Sequence, residues 1–253
     1  MIALLLAAIA SGSGSATVPV RSPVMFELRT YAAAVEVVQG RADSVTVSSP
    51  GASSARVEIE ANGDRLEARV DGRRQVREGK IRLELPPGSS VEITTVTGPV
   101  DLSAPLADAR VRTMSGRVTS TGARDVDVET IDAAVKVVAD GSVRVHTIAG
   151  AVQVESKGPA LQTEVETSSG PVEVRGRCGK SCRIDVDTVS GEVRMALDAT
   201  SSFGLRFTSH SGKLRDRGTA SGGNDTWTEA IWGAGEGRIE CETFSADVIV
   251  AAR

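Results

Sequence analysis

Four carboxylates stand at matched places in two successive stretches of the chain, Thr163-Glu164-Val165-Glu166-Thr167 and Ile184-Asp185-Val186-Asp187-Thr188. In a β-strand every second side chain faces the same side, so stacking these stretches gathers Glu164, Glu166, Asp185 and Asp187 into one patch. Oxygen ligands of this kind suit a hard cation such as Ca²⁺. Paired carboxylates also act as general acid and base in glycan cleavage, standing about 5 to 9.5 Å apart across a groove. The simpler reading is a solvated acidic face relieved by nearby Lys and Arg, since exposed carboxylates commonly decorate strands. We expect a flat or convex surface around Asp185 and Asp187, with no groove. His146 falls at the equivalent place between Glu129 and Glu166, as a surface ion pair would.

Cys178 and Cys182 flank Gly179-Lys180-Ser181, a polar loop that can close a disulfide in an oxidising compartment. Zinc would need two further ligands at matched spacing, and His146 and His210 fall on different phases of the pattern described below, so no metal is expected. Cys241 alternates with Ile239 and reads as a buried small hydrophobe. Trp227 and Trp232 stand five apart in a Gly-rich stretch of a chain with only 3% aromatic residues. They can stack on a sugar or a partner, as Trp does at binding hot spots, or close the end of the fold. The expectation is closure, over the final strand near Phe244 and Val248. The sequence carries no Ser-His-Asp spacing, Gly-rich phosphate loop or HExxH motif, and it predicts a protein with no enzymatic activity and no cofactor.

The element that must position these residues is one phrase written eight times: alternating apolar residues, then Thr, two residues, a small corner residue and a second apolar alternation. Its anchors are Thr95, Thr113, Thr130, Thr147, Thr167, Thr188, Ser209 and Thr243, in steps of 18, 17, 17, 20, 21, 21 and 34 residues. A period near twenty with twofold alternation inside each copy marks a β-solenoid. The predicted fold is all-β: a parallel β-solenoid of about eight or more coils. Residues 24–90 form an irregular β cap and first coil, and residues 91–253 the repeats, with a Trp-bearing insertion at 215–236. One continuous array argues for a single elongated body. In chain order the coil after Asp185 and Asp187 brings Arg206 and Thr208 beside them. The corner Gly is expected to supply a positive φ, and the anchor Thr to bond neighbouring coils in a polar ladder. Asn62-Gly63-Asp64 reads as a hairpin turn.

Charge is balanced, 29 Lys and Arg against 33 Asp and Glu, which provides no basic field for nucleic acid. Residues 1–10 are an apolar run too short to span a bilayer, and small residues follow; a signal peptide over residues 1–16 is expected. Either Ala8-Ile9-Ala10 or Gly14-Ser15-Ala16 fits the cleavage rule, with a polar linker over 17–23 and structure beginning at Val24. That places the mature chain in the periplasm, at the cell surface or outside the cell, without a membrane span.

The Val-x-Val-x-Thr-x-Ser-Gly-x-Val phrases, clearest over 163–174 and 184–193, together with Val35-Glu36-Val37 and Val45-Thr46-Val47, resemble the bacterial putative-adhesin family over roughly residues 32–250. The resemblance implies an exported or surface β-solenoid and brings no active-site residues; Ala133 and Ala246 at corner places depart from the pattern. The expected function is an exported, non-enzymatic binding or cell-envelope scaffold module whose partner is a cell-surface protein or glycan. The alternatives are a polysaccharide-active β-helix using the carboxylate patch, or an envelope stress or assembly component acting through protein contacts.

Overall fold

The computed structural model describes residues 8–10, 14–50, 56–62, 65–71, 79–158, 160–215, 219–223 and 227–252. Most of the expected signal segment and the Gly63-Asp64 turn lie outside them. The described residues form strands and no helix, and the chain divides into two compact units, Met1–Asp127 and Val128–Arg253. The boundary falls inside the repeat array.

The first unit contains β1 (Ala8–Ala10), β2 (Ser15–Pro19), β3 (Met25–Arg29), β4 (Ala34–Gln39), β5 (Ser44–Ser48), β6 (Arg56–Asn62), β7 (Arg65–Asp71), β8 (Lys80–Leu85), β9 (Ser90–Thr94), β10 (Val100–Leu102), β11 (Asp108–Thr113) and β12 (Val118–Ser120). One sheet runs β1-β6-β7-β3-β9-β11 and the other β2-β5-β8-β4-β10-β12. From β7 and β8 onward the pairing is parallel; β6 and β5 lie antiparallel on their outer sides. The segment forming β3 and β4 is therefore the second coil in space, covered by a later segment. Residues 17–23 are not all linker: Ser15–Pro19 pairs with β5, and Ala16 and Val18 are buried.

After β13 (Asp125–Thr130), the second unit continues with β14 (Val135–Ala139), β15 (Ser142–Thr147), β16 (Val152–Ser156), β17 (Gln162–Thr167), β18 (Val172–Gly176), β19 (Arg183–Thr188), β20 (Val193–Leu197), β21 (Phe203–Ser209), β22 (Leu214–Arg215), β23 (Thr219–Gly223), β24 (Trp227–Trp232), β25 (Gly237–Thr243) and β26 (Val248–Ala252). Each coil gives one strand to each sheet, and its alternating Val, Ile and Leu are buried. The final coil does not come last in space. β25 lies between β19 and β21, parallel to both, and β26 lies between β20 and β22. The insertion supplies the hairpin β23–β24, which continues the first sheet antiparallel beyond β21.

The corner glycines do not have positive φ. Their requirement is close stacking: a Cβ on Gly170 would stand 1.9 Å from the carbonyl oxygen of Gly150, and one on Gly191 2.0 Å from that of Gly170. The anchor hydroxyl mostly serves its own corner. Thr147, Thr167 and Thr188 each accept a hydrogen bond from the Gly N–H three residues on, at 3.1–3.2 Å. Local bonds of this kind fix a turn without a left-handed residue.

Candidate functional site

Strands β15, β17, β19, β25 and β21 present two outward rows in the second unit. The first, in spatial order, is Arg144, Glu164, Asp185, Glu240, Arg206, and the second is His146, Glu166, Asp187, Glu242, Thr208. The structure thus brings the four expected carboxylates together and adds two that chain order hid. Arg206 and Thr208 stand one coil further away than the repeat order suggested, because β25 intervenes.

The two rows differ electrostatically. In the first, Arg144 pairs with Glu164 at 2.9 Å, Arg183 with Asp185 at 2.7 Å and Arg238 with Glu240 at 2.6 Å. Among the described residues the second row has one such partner, His146, whose Nδ1 lies 2.6 Å from Glu166. Asp187 shows the consequence. Burial, reinforced by the charges of Glu242 and Glu166, raises its carboxyl above the ordinary aspartate value.

Two residues along each strand from the second row, the chain turns the corner and exposes a third row: Ile148, Ser168, Val189 and Phe244. Ile148, Val189 and Phe244 are 51%, 52% and 58% exposed. Phe244 stacks against His210, ring centroids 4.9 Å apart. Together the second and third rows line a shallow groove of about 460 Å³, which includes His146, Glu166, Asp187 and Glu242. The depression is shallow and open, so the surface beside Asp187 is only slightly indented, by the outward side chains at the corner, and Asp185 does not line it. Among the described residues no group of three or more His, Cys, Asp and Glu is arranged to hold a metal ion.

Of the tryptophans, Trp227 falls at the far end of the second row, beyond Thr208. Trp232 stacks on the fully buried Phe203, centroids 4.7 Å apart, and Trp227 lies opposite Thr208. Both are half-buried. They cover β21, and not the expected Phe244 and Val248, because β21 and not the chain's last strand is the outermost repeat strand of its sheet. Cys178 and Cys182 are joined in a buried disulfide. Their loop anchors the final coil: Arg238 donates its backbone N–H to the Cys182 carbonyl at 3.0 Å, and a Cβ on Gly237 would stand 2.8 Å from the Cys178 sulfur. Cys241 is fully buried between Val186 and Phe207, and burial pushes its thiol strongly up.

Stacked parallel coils with glycine-lined corners and outward ladders define a parallel β-solenoid. The chain belongs to the Toastrack DUF4097 family, whose profile matches residues 25–248. Among curated proteins, none matches. A solved structure, that of a putative cell adhesion protein from Clostridium sporogenes ATCC 15579, is similar at 10% identity and a TM-score of 0.24, covering 99% of this chain and 100% of that one. A superposition that loose bears on neither function nor partner.

Proposed function

We propose that this protein is an exported, non-enzymatic binding module of the cell envelope or cell surface, acting through the groove beside the corner row of its second unit. The observation that carries this reading is the exposure of Ile148, Val189 and Phe244 on one line. Single exposed apolar residues are ordinary on any surface, whereas several stacked beside a groove form a patch of the kind that contacts use. A scaffold built only to persist would place polar residues at these turns, as Ser168 does.

The test is co-sedimentation of the purified full-length protein with isolated bacterial envelopes, alongside a glycan array and an assay for newly released reducing ends. We expect saturable retention without glycan cleavage, and loss of retention in the Val189→Ser, Phe244→Ser double variant. No retention in the wild type, or glycan cleavage abolished by Asp185→Asn with Asp187→Asn, would overturn the reading.

Export has its own consequence. Ala16 is buried in β2 and paired with Val47, so cleavage after Ala16 would cut an ordered strand. Cleavage after Ala10 would leave β2 whole and remove β1, the three-residue edge strand beside β6. Amino-terminal sequencing of the exported protein is expected to begin at Ser11; a first residue of Thr17 would contradict this placement.

A further inference from the structure

The groove's two walls ask for different things from one ligand. Glu166, Asp187 and Glu242 stack on successive coils, and among the described residues Asp187 and Glu242 have no cationic partner. Like charges on adjacent strands repel, so this row is held together by the fold against its own electrostatics. The corner row alongside offers Ile148, Val189 and Phe244, half in water. At the strand spacing of about 4.8 Å the three acidic coils span roughly 10 Å, about the length of three extended residues; the corner residues on them are Ser168, Val189 and Phe244, and Ile148 stands one coil further on, beside His146.

Charge complementarity selects among ligand classes. Nucleic acid and anionic membrane surfaces would meet three carboxylates at close range and be repelled. Acidic polysaccharides meet the same obstacle. A neutral glycan leaves the carboxylates unbalanced. A polypeptide segment with both basic and apolar side chains satisfies both walls.

We propose that this groove docks an extended basic segment of a partner protein, its Lys or Arg side chains reaching Glu166, Asp187 and Glu242 and its apolar side chains packing on Ile148, Val189 and Phe244. This rests on the binding-module reading and specifies its partner. Stems of Lys and Arg lie readily along apolar surface while their heads reach a carboxylate, so one side chain can contact both rows. The side chains involved point outward from strands and from the turns that follow them, while the opposite strand faces form the core, so occupation needs no rearrangement of the coils.

Fluorescence anisotropy of the full-length protein with a labelled ten-residue peptide of alternating Lys and Leu tests this. Matched peptides carry Glu for Lys or Ser for Leu, and anionic phospholipid vesicles serve as a competing surface. We expect the Lys-Leu peptide alone to bind, more weakly as salt is raised. Affinity should fall about tenfold or more in Glu166→Gln, Asp187→Asn, Glu242→Gln, since each neutralisation removes a close charge contact. Glu173→Gln, on β18 in the other sheet, should leave binding unchanged. Melting curves of the triple variant show whether it is folded, and removing the repulsion should leave it at least as stable as the wild type. Equal binding of the Glu peptide, unchanged affinity in the folded triple variant, preference for the vesicles, or no peptide binding at all would each overturn the proposal. If envelope retention persists while the peptide fails, the partner class is wrong and the binding module stands; if both fail, both readings fall.

Discussion

Gly170 and Gly158 look alike in the sequence, yet the fold asks opposite things of them. A methyl group at Gly170 would strike the Gly150 carbonyl, whereas at Gly158 it would meet nothing within 4 Å. Gly170→Ala should therefore cost about 1–3 kcal/mol, the usual penalty for overpacking, and Gly158→Ala should be nearly neutral. Urea denaturation of the two variants measures the difference. A second contrast concerns charge. Burial, then Glu242 and Glu166, raise the Asp187 carboxyl, so the folded chain holds that proton more tightly than the unfolded chain does. Its contribution to stability is greatest at low pH and is lost as pH rises through a window that begins at the ordinary value of 3.8. Glu27 is the reverse case: burial pushes its carboxyl up, but hydrogen bonds from Arg65 and Arg29 outweigh this and hold it below 4.5. Its contribution is present above that value and fades as the solution is made more acid. Asp187→Asn should thus raise stability at neutral pH, by about 0.5 kcal/mol for a partly exposed group. Glu27→Gln should lower it there. Unfolding midpoints measured between pH 3 and pH 8 would show the two wild-type slopes and the loss of each in its variant.

At the scale of the element, the hairpin β23–β24 deals with an exposed strand edge. β21 is the outermost repeat strand of its sheet in the second unit, and unpaired peptide groups there would invite another chain to add on. The hairpin occupies that edge, and Trp232 lies over Phe203. Trp232→Ala removes the stacked ring and leaves the backbone pairing in place, so we expect a loss of about 1–3 kcal/mol, below the full cost of deleting a buried aromatic. Loosened pairing along β24 should also promote association. Sedimentation velocity of the variant checks this, and a stable monomer with wild-type unfolding would show that the ring stack is incidental. The reason for the stack lies in β21's position, since any fold that placed β25 outermost would have directed the hairpin to Phe244's coil.

At the scale of the molecule, two segments lie further inside the sheets than their place in the chain suggests. β3 lies between β7 and β9, and β25 lies between β19 and β21. A strand hydrogen-bonded on both sides frays less than one at an edge, so the last repeat is held by two neighbours, whereas β1 and β2 each pair on one side only. This makes the final coil an interior part. Deleting residues 237–253 should remove amide-exchange protection from β21 and β24 as well, because β21 would lose its parallel partner. If β21 kept its protection in the truncated protein, the interior placement of β25 would be wrong.

Much of this was legible in the residues themselves. Twofold alternation with a period near twenty requires stacked coils, since a strand's inward Val, Ile and Leu must face a common core, and Val165 and Val186 are fully buried. Because equivalent residues stack, the same period placed Glu164 over Asp185 and Glu166 over Asp187. The sequence could not order the last coils: every inward face is apolar, and any coil can hydrogen-bond to any other. That order appears only in three dimensions, where the disulfide loop contacts Gly237 and Arg238 and the hairpin pairs with β21. Through it Glu240 and Glu242 joined the acidic rows, and Phe244 came to stand beside Val189. The groove exists because residues remote in the chain were brought together, which no local pattern encodes.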